Sequence, residues 1–235
     1  MTTHAQQTMP DVIDLGRMPY ADAYEIQQQH HARILENRGT PDASVGTILL
    51  VEHDPVITVS KRPSAQNNLV ASSQLLQQMG VDVQSTDRGG DITYHGPGQI
   101  VAYPIIDLNA IGVNLHEYMR RLEEAVIRTC AHWGISGERD PTATGVWVRQ
   151  LHGSDQRAKI AAMGVRVRRW ITMHGLSLNV ETNLQHFDLI VPCGLIGRPV
   201  TSMQQLLDTR MPSMEDVKAE LSHHLVSLLS TGTTP

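Results

Sequence analysis

Two cysteines occur in this chain of 235 residues, Cys130 and Cys193, and only Cys193 has a setting suited to chemistry. It lies between Pro192 and Gly194, in a turn sequence after an apolar run, where a side chain is presented rather than packed. A thiol of ordinary pKa, about 8.5, is only a few per cent thiolate at neutral pH, so a nucleophilic cysteine needs a nearby cation. Cys193 is therefore a candidate nucleophile, and a small buried residue in a turn is the alternative interpretation.

Lys159 is the candidate cation. It precedes the apolar residues 160–162, and no carboxylate is close to it in sequence. Burial lowers the pKa of a lysine, which suits proton transfer. The alternative is an edge lysine that blocks aggregation between strands, and position alone favours it. Spacing does not show whether Lys159 meets Cys193.

A glycine-rich stretch, R-G-G-D-I-T-Y-H-G-P-G-Q, occupies residues 88–99. Its four glycines and one proline exclude a helix, but they permit positive φ angles and a close approach of backbone to a ligand. Residues 91–95 between the glycine clusters are β-prone and predict a short strand, and apolar residues 100–106 predict a buried strand. Because Arg88, Tyr94 and His95 add polar groups beside open backbone N–H groups, the stretch is a candidate binding loop, with a pair of tight turns as the alternative.

Composition and charge restrict the function. The net charge of −5 gives no support to nucleic-acid binding. No apolar run approaches the roughly 20 residues that span a membrane, and the N-terminus lacks the features of a signal peptide. With two cysteines there is no disulfide framework, so a soluble, cytoplasmic protein is expected. The twelve histidines are scattered, and without an H-E-x-x-H or C-x-x-C motif no metal is expected.

The elements that must position these residues are predicted from apolar periodicity and capping residues. Helices are predicted at residues 21–37, 73–79, 114–130 and 213–229. Strands are predicted at residues 46–52, 56–59, 81–85, 91–95, 100–106, 145–148, 158–164, 165–170, 176–180 and 189–191, with a hairpin loop at 150–157. The apolar face of the third helix is Leu115, Met119, Leu122, Val126 and Cys130, which makes Cys130 an inert core residue.

Strands joined by short hairpins and mixed with a few helices predict an α+β, or mixed α/β, fold. Neither G-x-G-x-x-G nor regular βαβ alternation occurs, which argues against a Rossmann fold. Residues 1–10 are expected to be a disordered tail. Since no repeat or linker divides the remainder, residues 11–235 are expected to form one catalytic domain.

Four short segments occur in a fixed order: the stretch at 88–99, K-I-A-A-M-G at 159–164, H-G-L at 174–176 and P-C-G at 192–194. Together they resemble the octanoyl-[acyl-carrier-protein]:protein N-octanoyltransferases of lipoate biosynthesis, over roughly residues 52–201. The resemblance implies the fold of lipoate and biotin protein ligases, a central mixed β-sheet flanked by helices. It implies Cys193 as the acyl-thioester nucleophile and Lys159 as the group that lowers its pKa. The implied substrate-binding residues are Arg88, Gly89, Gly90, Asp91, Ile92, Thr93, Tyr94, His95, Ala162, Met163, Gly164, Gly175, Leu176 and Ser177.

By this resemblance, the chain transfers octanoyl from octanoyl-acyl carrier protein to a lysine of lipoyl domains, and no cofactor is expected. The acceptors would be lipoyl domains of 2-oxoacid dehydrogenase complexes and the glycine cleavage H protein. Ile92, Tyr94 and Met163 are expected to line the acyl slot. Both partners are expected to be acidic, so a candidate basic patch is Arg88, Arg149, Arg157, Arg166, Arg168 and Arg169, although Arg166 and Arg168 also fit the solvated face of a strand.

Ser60 departs from the pattern E-H-x-P-V-x-T-x-G that is frequent in this family, which puts the geometry of that turn in question. Three alternative functions stay open. An ATP-dependent lipoate or biotin ligase of the same fold needs no cysteine nucleophile. A non-catalytic acyl-binding module forms no covalent adduct, and a cysteine thioesterase releases free octanoate.

Overall fold

The computed structural model of the chain describes residues 8–149, 157–191 and 198–232. Its strands are β1 (Asp11–Met18), β2 (Gly46–His53), β3 (Val56–Ser60), β4 (Asp82–Thr86), β5 (Ile92–His95), β6 (Gln99–Ile106), β7 (Gly137–Asp140), β8 (Ala143–Arg149), β9 (Arg157–Arg168) and β10 (Ile171–Asn179). Its α-helices are α1 (Tyr20–Asn37), α2 (Ser73–Met79), α3 (Leu108–Ile111), α4 (Leu115–His132), α5 (Met203–Leu207) and α6 (Met214–Leu229). Short 3₁₀ helices occupy Ala65–Asn68, Leu184–Leu189 and Asp208–Arg210.

Within these residues the strands form two mixed sheets. The larger has seven strands in the order β1-β2-β6-β10-β9-β8-β7, of which only β1 and β2 are parallel neighbours. The smaller has three strands in the order β4-β3-β5, with β3 parallel to β4 and antiparallel to β5. Mixed sheets flanked by helices confirm the predicted α+β class.

Helices cover both faces of the seven-stranded sheet. Ile48 and Leu50 of β2 face the core shared with α4 and α6, whereas Leu49 and Val51 face the core shared with α1. Successive side chains of a strand point to opposite faces, so a strand that is covered twice needs apolar residues at every position. This is why the apolar run at 46–52 correctly predicted an interior strand.

Capping residues fix the helix boundaries where the sequence predicted them. Ser72 accepts a hydrogen bond from the Leu75 N–H, Gly80 ends α2 with φ of 63°, and Ser213 caps α6. Asn114 caps α4, but the buried face of that helix starts at Tyr118 rather than at Leu115. The prediction for Leu115, which is 45% exposed, is wrong because the first turn of α4 precedes the contact with the sheet.

Several elements differ from the predictions. Strands β1 and β7 were not predicted, and the two segments at 158–170 form one continuous strand that ends at Arg168. The predicted strand at 189–191 is wrong, because the chain forms a 3₁₀ helix through Leu189 and Ile190 then makes a single bridge to Leu69. Phe187, Leu189 and Ile190 are apolar because they fill the small core under β3 and β5. A short apolar run in a sequence does not distinguish a buried strand from a buried helical segment.

The predicted loop at 150–157 lies, except for Arg157, outside the described residues. Among the helices in the described part of the chain, none is long and apolar enough to cross a membrane.

Candidate active site

A cleft lies between the two sheets. One side is formed by the loop before β5 and by β5 itself, and the other by the middle of β6, β9 and β10. The N-terminus of α1 contributes Tyr20. The space between these walls is about 470 Å³, part of it open to solvent.

Most of the residues predicted to bind substrate line this cleft. They are Arg88, Gly90, Ile92, Thr93, His95, Ala162, Met163, Gly164, Gly175, Leu176 and Ser177. The lining does not include Gly89, Asp91 or Tyr94, and Tyr94 packs against Phe187 instead, with its hydroxyl 2.6 Å from His186 Nδ1. Tyr94 therefore does not form the acyl slot that was expected of it, because its ring is buried in the small core with Phe187.

Four lining residues were missed as site residues: Tyr20, Val101, Tyr103 and His174. Nothing local in the sequence singles out Tyr20, Val101 or Tyr103. His174 opens the H-G-L segment at 174–176, and in the structure it adopts a φ of 59° inside a strand. A positive φ at a non-glycine residue is strained and is concentrated at functional sites.

Two glycines allow close backbone packing in the cleft wall, and one of them, Gly164, lets the two walls meet. Gly164 of β9 and Gly175 of β10 are direct partners across the sheet. A Cβ atom at Gly164 would collide with the Gly89 carbonyl oxygen, and one at Gly175 would collide with the Ala102 carbonyl oxygen. The Gly89 N–H donates to the Val165 carbonyl at 2.9 Å. The glycine-rich loop therefore docks directly on the sheet backbone, an approach that a Cβ atom at Gly164 would prevent.

A hydrogen-bonded cluster is built around the ion pair of Asp87 and Arg166; we call it the ionic cluster, and it also contains His174 and Tyr24. Asp87 accepts hydrogen bonds from His174 Nε2 at 2.8 Å and from the Tyr24 hydroxyl at 2.9 Å, and it pairs with Arg166. Burial alone would raise the pKa of Asp87, but these bonds and the nearby positive charges outweigh it and lower that pKa. Burial lowers the pKa of His174, and Asp87 opposes the shift.

A second network of hydrogen bonds is uncharged and runs from β5 to the larger sheet; we call it the amide chain, and its members are His95, Gln99, Asn179 and Thr201. The Gln99 amide nitrogen donates to Asn179 Oδ1 at 2.9 Å and to the Tyr94 carbonyl, so its oxygen accepts from His95 Nδ1 at 2.7 Å. Asn179 Nδ2 donates to the Thr201 carbonyl at 3.0 Å. Burial, helped by neighbouring His53, lowers the pKa of His95 to about 3. His95 is therefore neutral, with Nε2 as an acceptor.

Lys159 lies at the far end of the amide chain. The Thr201 N–H donates to the Lys159 carbonyl at 3.0 Å, and the Lys159 N–H donates to the Pro199 carbonyl at 2.9 Å. The Lys159 ammonium lies 3.1 Å from the Thr144 carbonyl oxygen and 4.8 Å from the ring centroid of Trp147. A carbonyl and an aromatic face both attract a cation. Because β9 lies between β10 and β8, the alternative interpretation of Lys159 as an edge lysine is wrong, and its ammonium is held in a defined place.

The register between β8 and β9 slips beside Lys159. Trp147 pairs with Lys159 whereas Val146 pairs with Ala161, so Ile160 is the extra residue of a β-bulge. Bulges re-aim side chains and are frequent next to active sites. Gly145, at a φ of 131°, leaves room beside them for the Lys159 side chain.

Cys193 lies outside the described residues, so the structure does not place it. The chain on either side is anchored: the Val191 N–H donates to the Asn68 carbonyl at 2.7 Å, and Pro199 and Thr201 bond to Lys159. Cys130 is fully buried in α4, and burial raises the pKa of its thiol to about 12, which confirms the predicted core cysteine. Among the described residues no three potential ligands are placed to hold a metal ion.

Comparison with known proteins agrees with this geometry. The lipoyl protein ligase A/B catalytic domain matches residues 19–226. An octanoyltransferase of Bacteroides thetaiotaomicron is 43% identical over 220 residues, which are 93% of this chain and 95% of that protein. One of Acidobacterium capsulatum is 44% identical over 216 residues, 88% of this chain and 85% of that protein. A bipartite lipoate protein ligase of Thermoplasma acidophilum superposes with a TM-score of 0.70 at 14% identity, over 95% of this chain and 84% of that one.

The chain belongs to the family of the lipoyl protein ligase A/B catalytic domain. The superposition, at low identity, concerns the fold alone and confirms the predicted lipoate-ligase-like architecture. Within the family, its relatives group it with the octanoyltransferases, and it is an acyltransferase.

Proposed function

We propose that this acyltransferase moves an octanoyl group from octanoyl-acyl carrier protein to a lysine of a lipoyl domain, through a thioester on Cys193. The relatives named octanoyltransferase support the acyl group, and the lipoate protein ligase with its E2 lipoyl domain supports the acceptor class. The same proposal takes residues 11–235 as one catalytic unit, since the family match spans residues 19–226.

The observation that carries this proposal is the attachment of the segment after Cys193 to Lys159. Pro199 and Thr201 follow Cys193 by six and eight residues, and both are hydrogen-bonded to the Lys159 backbone. Cys130, the other cysteine of the chain, is excluded as nucleophile by its burial and raised pKa. The chain after Cys193 reaches the Lys159 backbone within six residues, which supports the pairing of nucleophile and cation.

The reaction has two steps. The Cys193 thiolate attacks the thioester carbonyl carbon, the bond from that carbon to the carrier sulfur breaks, and the carrier leaves as a thiol after taking a proton. The uncharged ε-amine of the acceptor lysine then attacks octanoyl-Cys193, which forms the amide, releases the thiolate and leaves one proton to a base. The Lys159 ammonium stabilises the thiolate in both steps and exchanges these protons. Since a thioester is converted to an amide, no ATP is required.

The apolar part of the cleft suits the acyl chain. Ile92, Val101, Met163 and Leu176 line it, and His95 is neutral beside them. Burying an octanoyl chain with its six methylenes contributes about 5 kcal/mol at roughly 0.8 kcal/mol per methylene. An uncharged wall avoids the cost of placing an unpaired charge beside a hydrocarbon.

Intact-mass measurement after mixing with octanoyl-acyl carrier protein tests the proposal. Wild type and the matched variant Cys130→Ala are expected to gain one octanoyl group, and Cys193→Ala is expected to gain none. An apo lipoyl domain then discharges the adduct and acquires the octanoyl group itself. Lys159→Met is expected to slow adduct formation about a hundredfold or more, the usual scale for acid–base catalysis.

Other outcomes point to other activities. Octanoylation of the lipoyl domain only with ATP, and without an adduct, identifies a ligase. Release of free octanoate from the adduct in the presence of the lipoyl domain identifies a thioesterase. Absence of both adduct and product contradicts transferase activity and leaves an acyl-binding module.

A further inference from the structure

The turn between β9 and β10 has an unusual composition. Its two central residues, Arg169 and Trp170, have φ angles of 52° and 65°. A two-residue hairpin of this kind normally carries Asn-Gly or Asp-Gly, because residues with large side chains are strained at positive φ. The chain therefore places an arginine and a tryptophan where backbone conformation disfavours both.

The backbone of this turn is fixed by contacts with His31, Arg38 and Leu108. His31 Nε2 lies 3.2 Å from the Arg168 carbonyl oxygen, Arg38 donates to the Arg169 carbonyl at 2.8 Å, and the Leu108 N–H donates to the Trp170 carbonyl at 2.8 Å. Each contact uses a main-chain oxygen of the turn. The strained conformation is thus fixed while the side chains of the turn remain on the surface.

Those side chains form what we call the hairpin tip: Arg168, Arg169 and Trp170. All three are exposed, and Trp170 keeps 52% of its surface in solvent. Arg166 and Arg38 beside the tip are paired with Asp87 and Asp107. Neither Arg168 nor Arg169 forms an ion pair with any other described residue, so they leave two uncompensated positive charges on a chain of net charge −5.

This pattern is typical of a protein contact. Tryptophan and arginine are enriched at the energetically dominant positions of interfaces. Uncompensated charge of one sign selects a partner surface of the opposite sign and accelerates encounter. Of the arginines predicted to form a basic patch, Arg88 is bonded to Thr58, Arg157 pairs with Glu138 and Arg166 pairs with Asp87. Arg149 is exposed but lies opposite Arg157, at the other end of β9 from the tip. The predicted patch is therefore not continuous, and at this end of β9 its exposed members are Arg168 and Arg169.

The tip is connected to the cleft by the same two strands. The pair Gly164–Gly175 lies in the cleft wall, and the pair Arg168–Ile171 lies at the tip. Four residues of a strand separate them, which is about 13 Å at roughly 3.3 Å per residue. A partner at the tip is therefore beside the cleft but does not block it.

We infer that the hairpin tip docks an acidic face of the carrier protein that delivers the acyl thioester, an inference that rests on the proposed function. The distance between the hairpin tip and the cleft favours the protein that donates the acyl group, rather than the acceptor domain, as the partner. A carrier protein presents its acyl group on a long, flexible phosphopantetheine arm, which bridges the distance from the tip to the cleft. An acceptor lysine has only its own short side chain, so the acceptor domain has to lie directly at the opening of the cleft.

The test compares two donors, octanoyl-acyl carrier protein and octanoyl-CoA, which has the same thioester without the carrier. The variants are Arg168→Glu/Arg169→Glu, and Trp170→Asn, which keeps a residue suited to positive φ. Each variant is expected to raise the KM for octanoyl-acyl carrier protein about tenfold. Its kinetic constants with octanoyl-CoA are expected to stay within about twofold of those of wild type. The matched control is Arg128→Glu, an exposed arginine on α4, and it is expected to change neither. High salt is expected to raise the carrier KM of wild type but not of the double variant.

Three results would overturn the inference: an unchanged carrier KM, an equal rise for octanoyl-CoA, or a rise in the KM of the lipoyl acceptor alone. Circular dichroism and thermal melting of each variant separate loss of docking from loss of fold. Failure of wild type to use either donor contradicts the proposed function instead, so the two failures are distinguishable.

Discussion

Each wall of the cleft contains a buried histidine, His95 on β5 and His174 on β10, and the two have different partners. His95 is bonded to the Gln99 side-chain amide and belongs to the uncharged amide chain. His174 is bonded to the Asp87 carboxylate and belongs to the ionic cluster. Burial lowers the pKa of both, but only at His174 does a carboxylate oppose the shift.

The comparison shows that a buried histidine does not by itself determine whether its surroundings are charged; the hydrogen-bond partner does. An amide partner offers a dipole, so a histidine beside it keeps the neutral form that burial favours. A carboxylate partner favours the charged form and draws further donors, here Tyr24 and Arg166. The amide chain leads to Lys159 and lies beside the apolar lining, whereas the ionic cluster lies beneath the strand that carries the hairpin tip.

The largest effect is expected from breaking the ionic cluster with Asp87→Asn. The change removes the negative charge and one of the two acceptor oxygens that bond Arg166 and the His174 N–H. Because hydrogen bonds to a charged group are worth roughly 1.5–3 kcal/mol each, we expect a loss of about 3 kcal/mol. Urea denaturation at neutral pH measures the loss. The matched control is Asp54→Asn, whose partner Arg17 is 55% exposed, and it is expected to cost less than about 1 kcal/mol. Equal losses in the two variants would show that the cluster is no stronger than a surface pair.

The amide chain is broken by Asn179→Leu, which removes the acceptor of one Gln99 amide N–H and the donor to the Thr201 carbonyl. An unsatisfied buried polar group costs roughly 1–3 kcal/mol, so we expect a loss of about 2 kcal/mol. Because Thr201 is bonded to Lys159, the rate of acyl transfer is expected to fall about tenfold or more at saturating donor. Asn183→Asp, which keeps an exposed cap on the 3₁₀ helix, is the control for both measurements.

The pH dependence of stability is expected to differ between variants of the two histidines, His95 and His174. Since the pKa of His95 falls from 6.5 to about 3 on folding, the unfolded chain binds more protons between these values. Its contribution to stability is present above about pH 6.5 and is lost as pH falls towards 3. His95→Gln is therefore expected to flatten the plot of unfolding free energy against pH by about 1.4 kcal/mol per pH unit near pH 5.

His174→Gln, the comparison variant, is expected to flatten the same plot less, because Asp87 partly restores the pKa of His174. Denaturation series at closely spaced pH values in the acid range give both slopes. An equal flattening in the two variants would remove the distinction between the walls.

The smallest effect is expected at Ser60, next to the loop that joins the walls. Ser60 ends β3 without a positive φ, and its hydroxyl donates to the Gly90 carbonyl at 3.1 Å and accepts from the Arg62 N–H at 3.3 Å. The serine therefore strengthens the loop rather than disturbing the turn. Ser60→Gly is expected to cost about 1 kcal/mol in urea denaturation, with acyl-transfer rates within about twofold of wild type.

Local sequence was sufficient for much of the architecture. The helix boundaries at Ser72, Gly80, Asn114 and Ser213 follow from capping chemistry, which acts within one turn. The interior strands follow from continuous apolar runs. Strands β1 and β7 were not predicted from the sequence. Each lies at an edge of the seven-stranded sheet, where a strand has a neighbour on one side only and polar residues are tolerated.

The sequence by itself determined the family, the class of fold and the identity of most cleft residues, because these depend on residue order and on patterns of a few neighbouring positions. Tertiary structure alone decided that Tyr94 faces away from the cleft, that Tyr20 joins it, and that His95 and His174 have unlike partners. Asp87 and His174 are 87 residues apart in the chain. A charge state set by burial and by a distant partner is not encoded in any local pattern, since both arise only when the strands assemble.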